Sequence, residues 1–92
     1  MARAKAVSSR EVVLAVLRVF ADAALERGDH VIVFTKAEFI KTYWRLRRKR
    51  LVPFVKMETL LRTLRKLAAE SNFLKYENWY GGRYVLDVVT MP

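Results

Sequence analysis

Hydrophobic and polar positions along the chain predict a first helix with a narrow polar side. Ser8 and Glu11 have the spacing of a capping box, in which the two side chains satisfy free backbone N–H groups at a helix start. The apolar residues that follow predict a helix over 9–27, and Gly28 suits the left-handed residue that ends it. The polar stripe of this helix consists of Glu11, Arg18, Asp22 and Glu26.

This first helix carries more apolar surface than a helix at the edge of a small core needs. One interpretation is that it is covered on two sides, and that a second copy of the protein provides one cover, giving a homodimer through helix 9–27. The alternative is that Ala15, Ala21 and Ala24 are helix-forming residues on the surface. The sequence leaves both interpretations open.

A strand and a second helix are predicted next. Val31–Phe34 is a short run rich in β-branched residues, which predicts a strand. Thr35 and Glu38 form a second capping box, so a helix begins there. We expect its buried side to hold Phe39, Ile40, Tyr43, Trp44 and Leu46. The basic run RLRRKR, residues 45–50, closes this helix.

A third helix is predicted over 54–70, because Pro53 is suited to a first helical turn. One apolar stripe contains Met57, Leu60, Leu61, Leu64, Leu67 and Ala68. The opposite face carries Lys56, Thr59, Arg62, Thr63 and Lys66. This amphipathic pattern indicates one buried face and one face open to solvent or to a partner.

Residues 73–79 and 83–89 predict two strands that form a hairpin around a Gly-Gly pair. A loop with an odd number of residues gives an inner face formed by Leu74, Tyr76, Leu86 and Val88. A two-residue turn would place Leu74 opposite Val89 and Tyr76 opposite Asp87. We favour the odd loop because it buries no carboxylate.

Composition places the chain among small globular proteins. It has 92 residues, 53% of them hydrophobic, and no cysteine, which excludes disulfides, Cys-ligated zinc and a cysteine nucleophile. The apolar runs 12–17 and 31–34 are far shorter than the roughly 20 residues that cross a bilayer. No apolar signal-peptide region follows the basic N-terminus before Ser8. We therefore expect an intracellular, cytoplasmic protein that is not a membrane protein.

The net charge of +9 favours a polyanionic partner, with nucleic acid before an anionic membrane surface. The chain has no Gln, two Asn and no Cys. This depletion of thermolabile residues is typical of hyperthermophile proteins. We therefore expect a source such as a thermophilic archaeon or one of its viruses.

The order helix, strand, helix, helix, strand, strand resembles the winged helix-turn-helix family over about residues 8–89. The resemblance is carried by FTKAEFIKTYWRLR, PFVKMETLLRTLRKLAAESNF and LKYENWYGGRYVLDV. It implies an α+β fold in which a three-helix core carries a C-terminal β-hairpin wing. It also implies that helix 54–70 lies in the major groove of DNA and that hairpin 73–89 touches the backbone or minor groove. The connection RRKRLVP departs from the family because it is longer and more basic than a tight turn.

On this interpretation, residues 1–7 are a flexible basic arm and residues 8–92 are a single winged-helix domain. In the arm, Arg3 and Lys5 are candidate phosphate contacts. The candidate recognition residues are Lys56, Thr59, Arg62, Thr63 and Lys66. Arg62 has the guanidinium fork that pairs with guanine O6 and N7, and threonines can contact phosphate or the thymine methyl.

The basic run provides the candidate backbone contacts Arg45, Arg47, Arg48, Lys49 and Arg50. Attraction to the helix C-terminus explains one or two of these cations, whereas the others repel each other, which favours a polyanion as their partner. In the wing the candidates are Lys75, Trp79, Tyr80 and Arg83. The two aromatic residues are suited to stacking on unpaired bases or to packing across the hairpin, and both remain open.

No catalytic, metal or cofactor spacing is recognisable. His30 is the single histidine and stands beside Asp29 in a predicted turn, so we expect a solvated loop residue and no enzyme. The function that we expect is sequence-specific binding of double-stranded DNA, as a nucleoid-associated transcriptional regulator. The alternatives are a protein–protein interaction module of a replication or transcription assembly, and a non-specific architectural DNA-binding protein.

Overall fold

The protein is described by a computed structural model that covers residues 7–79 and 81–92. Its elements are α1 (Ser9–Glu26), β1 (Val31–Phe34), α2 (Lys36–Arg48), α3 (Met57–Glu70), β2 (Leu74–Glu77) and β3 (Arg83–Asp87). The predicted α+β class and the order of the six elements are confirmed. Three helices and a small antiparallel sheet are compatible with a winged-helix arrangement.

The N-terminal caps form as the sequence predicts. The hydroxyls of Ser8 and Thr35 accept hydrogen bonds from the backbone N–H groups of Glu11 and Glu38, at 3.2 Å each. Gly28 follows the end of α1 with a φ of 77°, a conformation that costs glycine little. The two cap bonds define where α1 and α2 begin, and the conformation of Gly28 marks the end of α1.

The three strands form one sheet in the order β1-β3-β2, with antiparallel pairing throughout. Leu74 lies opposite Leu86 and Glu77 opposite Arg83, so the hairpin loop has an odd number of residues, as predicted. Tyr76 shares the face of Leu74 and Leu86, as predicted, but it is 37% exposed and not buried. Its ring packs on that of Tyr84, a buried core residue directly opposite in β3.

The helix α1 lies at the centre of the core, in contact with α3 and with α2 and β1. Ala21 and Ala24 are fully or almost fully buried, so their interpretation as surface residues is wrong. The elements that pack on this helix, α3 and α2 with β1, belong to the same chain. A second copy is therefore not needed to explain its apolar surplus, and the homodimer through helix 9–27 stays a prediction.

The second helix is rotated relative to the prediction. Trp44, predicted to be buried, is 43% exposed, whereas Thr42 is buried. The buried stripe is centred on Phe39 and Tyr43, which puts position 42 inside and position 44 at the edge. Burial of Thr42 leaves no unsatisfied group, because its hydroxyl donates to the Glu38 carbonyl at 2.9 Å.

The third helix begins at Met57, three residues later than predicted. Pro53 therefore lies in the connection between α2 and α3 and not in a first helical turn. The phenol of Tyr43 holds this connection in place: it accepts from the Val55 N–H at 2.8 Å and contacts the Val55 carbonyl at 3.2 Å. These bonds keep residue 55 outside the helix, and Lys56 becomes its N-cap.

The hairpin loop, residues 78–82, requires glycine at its last position, Gly82. Gly81 and Gly82 have φ angles of 86° and 92°, which L side chains rarely adopt. A side chain on Gly82 would also collide with the ring and hydroxyl of Tyr76, whereas one on Gly81 would meet open space. The close approach of Gly82 to Tyr76 fixes the hairpin against this ring.

This difference predicts unequal costs of two alanine substitutions. Gly81→Ala should lower the free energy of unfolding by about 1 kcal/mol, because only the backbone angle is strained. Gly82→Ala should cost about 1–2 kcal/mol more, because the Tyr76 ring must also move. Chemical denaturation of both variants measures the difference. The same pair made in a Tyr76→Ala background is the control, and there the two costs should become similar.

Candidate nucleic-acid interface

The net charge of the protein lies in one segment. Residues 36–66, which we call the basic segment, contain eleven Lys or Arg and two Asp or Glu, a net charge of +9. The remaining residues contain seven of each sign, so their net charge is zero. The basic segment comprises α2, the connection and most of α3, and the rest of the sequence carries no net charge.

The exposed face of α3 carries Arg62 and Lys66, as predicted, and also Arg65. Arg62 lies 3.8 Å from Glu58, but both side chains are so exposed, at 72% and 86%, that this pair is weak. Lys56 is exposed at the N-cap of the helix. Arg65 was not among the predicted recognition residues. Its position three residues after Arg62 places it on the same helix face and would have identified it.

Of the two threonines of α3, Thr63 has side-chain partners within the protein. Thr63 is half-buried, and its hydroxyl lies 3.0 Å from the Ser9 hydroxyl and 2.8 Å from the Thr59 carbonyl. Thr59 is half-buried on the same side of the helix. Thr63 therefore joins α3 to the start of α1, and the exposed polar groups of this helix face are the cations and Glu58.

A groove of about 400 Å³ separates α3 from the hairpin. Among its lining side chains are Lys36, Arg62, Arg65, Tyr76 and Tyr84. The guanidinium of Arg65 lies 5.2 Å from the centre of the Tyr76 ring, a distance at which a cation and an aromatic face attract each other. Three cations from two helices thus converge on one groove, beside two phenols.

Tyr84 is protonated in this groove at neutral pH. Burial raises the pKa of its hydroxyl above the ordinary value, the neighbouring Arg65 offsets part of this effect, and Tyr76 adds to it. A protonated phenol is a hydrogen-bond donor, so Tyr84 complements the three cations that line the same groove. Glu58 also lines the groove, but the three cations outnumber this one carboxylate, so the groove favours an anionic group such as phosphate.

The basic run occupies the end of α2 and the residues after it. Its first three cations lie in the last helical turn, where the helix dipole favours positive charge. Arg47 is half-buried: it donates to the Val52 carbonyl at 3.0 Å and lies 5.9 Å from the centre of the Phe54 ring. Arg47 therefore stabilises the connection to α3.

The other four cations of the run are Arg45, Arg48, Lys49 and Arg50, and all are exposed. Arg50 has a φ of 58°, an unusual angle for a residue other than glycine, and ends the helix there. Within residues 7–79 and 81–92, no carboxylate lies within 4.0 Å of these four side chains. Their charge is not neutralised by the described part of the fold.

The wing residues differ in their contacts. Arg83 donates to Glu77 at 3.0 Å and lies 5.5 Å from the centre of the Trp79 ring, so its guanidinium is bound within the hairpin. Lys75 is exposed, and Trp79 is 56% exposed beside Arg83. Tyr80 lies outside the described residues, as do Arg3 and Lys5 of the predicted arm.

Exposed apolar side chains accompany the cations of the basic segment. Trp44, Leu51 and Phe54 are 43%, 66% and 60% exposed. On α2, Trp44 lies one helical turn from both Lys41 and Arg48. Cations interleaved with aromatic rings are suited to nucleic acid, and the same apolar area is suited to a protein partner.

No other functional site is apparent in the parts of the chain that the structure describes. In residues 7–79 and 81–92, no three His, Cys, Asp or Glu side chains are grouped to bind a metal ion. In the same ranges, no helix combines the length and hydrophobicity that crossing a bilayer requires. His30 is exposed.

Comparison of this chain with protein-family models, curated proteins and solved structures gives no match.

The position of α3 relative to the basic run depends on Tyr43, which leads to a prediction. Tyr43→Phe should lower the free energy of unfolding by about 1–3 kcal/mol, because the partly buried Val55 N–H loses its acceptor. Chemical denaturation measures this loss. Tyr76→Phe is the control, since the exposed Tyr76 hydroxyl makes no hydrogen bond to the described chain, and it should cost much less. Equal losses in the two variants would contradict a role for the Tyr43 bonds.

Proposed function

We propose that this protein binds double-stranded DNA and acts as a sequence-specific transcriptional regulator. In the proposed complex α3 lies in the major groove, the basic run contacts the backbone beside it, and the β2–β3 hairpin serves as a wing. The observation that carries this proposal is the location of the whole net charge of +9 in residues 36–66. A duplex is a dense polyanion, so a surface of this kind gains affinity from counterion release.

Base reading in this proposal depends on Arg62. Its exposed pair with Glu58 is too weak to hold the guanidinium away from a ligand. A bidentate contact with guanine O6 and N7 contributes roughly 1–3 kcal/mol of discrimination. Arg65 is held beside the Tyr76 ring at the groove, and this position suits a phosphate contact next to the bases that Arg62 reads.

Affinity without sequence preference comes from Arg45, Arg48, Lys49 and Arg50. These four cations, which have no carboxylate partner in residues 7–79 and 81–92, repel one another. Folding gains little from them beyond the helix-dipole attraction of about 0.3–1 kcal/mol each in the last turn. Phosphates remove this repulsion. The exposed positions of these residues at one end of α2 favour contacts with the backbone that flanks the site read by α3.

A second candidate function is a protein–protein interaction module. The exposed Trp44, Leu51 and Phe54 favour it, because apolar side chains at the centre of an interface contribute much of the binding energy. A non-specific architectural DNA-binding protein is a third candidate that the charge distribution supports equally well. Sequence preference distinguishes the regulator from the architectural protein, and binding to duplex DNA distinguishes both from the interaction module.

The test is binding to random-sequence duplex DNA across a salt series, followed by selection of preferred sequences. Arg62→Ala should change the selected sequence and weaken the preferred site by roughly 1–3 kcal/mol. Arg48→Ala should weaken all duplexes alike and reduce the salt slope by about one unit.

Arg27→Ala is the matched control. It removes the same charge, but from an exposed pair with Asp29 outside the basic segment. It should leave the selected sequence unchanged and affect affinity much less than Arg48→Ala. Equal losses on every sequence from Arg62→Ala and Arg48→Ala would argue against base reading and for the architectural function. Absence of duplex binding below physiological salt would overturn DNA binding and favour the interaction module.

A further inference from the structure

The strand β1 is an edge of the sheet, and its outer side has no partner in the described chain. Val31 and Val33 are 49% and 47% exposed along this edge. Residues 30–35 contain no Lys, Arg, Asp, Glu or Pro. Exposed edge strands in proteins are protected by such residues or by being very short, and β1, with four residues, has only its short length. The edge of β1 therefore remains open to a further strand.

The hydrogen-bond pattern shows which backbone groups are open. The Val88 N–H donates to the His30 carbonyl at 2.9 Å, and Ile32 lies opposite Leu86 in the β1–β3 pair. In an antiparallel pair, alternate residues exchange hydrogen bonds with the partner strand. His30 and Ile32 therefore face β3, whereas the N–H and carbonyl groups of Val31 and Val33 point away from the sheet.

We propose that a second copy of this chain pairs with the β1 edge in antiparallel orientation, about a two-fold axis at Ile32. In this register, Val31 of each copy lies opposite Val33 of the other. The two valine pairs exchange four backbone hydrogen bonds, and every outward group of Val31 and Val33 is then satisfied. The two three-stranded sheets join into one sheet of six strands.

This register also places apolar side chains opposite apolar side chains. Directly opposed residues of an antiparallel pair lie on the same face, and Val31 and Val33 are both on the outer face of the sheet, opposite the core. Valine therefore meets valine on the outer face, and Ile32 meets Ile32 on the inner face. A shift by two residues in either direction would pair a valine with Asp29 or Thr35 and would form fewer bonds between the strands.

Charge does not oppose the pairing of two copies at this edge. Residues 31–33 of β1 carry no charged side chain. The paired strands therefore bring no like charges directly opposite each other, an arrangement that would destabilise the pair. The interface consists of short strands, so the dimer is reversible and its population depends on concentration.

The dimer does not depend on the proposed function, but it would extend it. Each basic segment begins two residues after β1, so the two segments start on opposite sides of the two-fold axis. A protein with this symmetry binds two half-sites related by the same symmetry. The dimer also differs from one through helix 9–27, because α1 is not part of its strand pairing.

The test combines sedimentation velocity over a concentration series with amide hydrogen exchange measured residue by residue. We expect a monomer–dimer equilibrium in which the Val31 and Val33 amides become protected as the dimer forms. Val33→Pro removes one outward N–H and leaves the bonds to β3 intact, so the variant should stay folded and monomeric. Val33→Lys should have the same effect and serves if the proline variant does not fold.

Val89→Lys is the control, since Val89 is 65% exposed and lies outside β1. It adds the same charge and should dimerise like the original chain. A chain that stays monomeric at every concentration would overturn the proposal. So would a dimer that Val33→Pro and Val33→Lys leave intact, or a dimer in which the Val31 and Val33 amides exchange freely. A failure of DNA binding, by contrast, would leave these outcomes unchanged.

Discussion

The packing of α1 between α3 on one side and α2 with β1 on the other is the interaction on which the rest of the structure depends. Six side chains of this helix are buried: Val12, Val13, Val16, Leu17, Ala21 and Ala24. Burial of a valine or leucine side chain contributes about 1.5–3 kcal/mol. The basic segment contributes its own apolar side chains, such as Phe39, Tyr43 and Leu60, to this core, and their burial opposes the mutual repulsion of eleven cations within 31 residues.

The sequence predicted the features that local chemistry determines. The caps at Ser8 and Thr35 need only a side chain and an N–H three residues away, so both begin helices as expected. The odd hairpin loop followed from keeping Asp87 off the buried face. The errors arose where contacts between residues distant in the sequence determine the structure. The start of α3, for example, depends on bonds between Tyr43 and Val55, which lie 12 residues apart.

The candidate site shows the same division. The positions of the charged and polar residues are visible in the sequence, but the groups to which they hydrogen-bond are not. Arg47 bonds to the connection, Arg83 to Glu77, and Thr63 to Ser9 on another helix. The groove beside Tyr76 could not be predicted either, because α3 and the hairpin come together only in the folded chain. The exposure of Trp44 depends on the rotation of α2, which neighbouring elements fix.

The arginines of the basic segment and wing therefore fall into two groups by their contacts. Those that lie against a ring or donate to the chain, such as Arg47 and Arg83, stabilise the fold, and their replacement would change stability before it changed binding. Among the residues that the structure describes, the exposed Arg45 and Arg48 have no such contacts and Arg62 has one weak pair. Stability gives little reason to retain this second group. The proposed binding of duplex DNA would supply that reason, because phosphates along α2 and α3 would neutralise residues that the described part of the fold leaves unpaired.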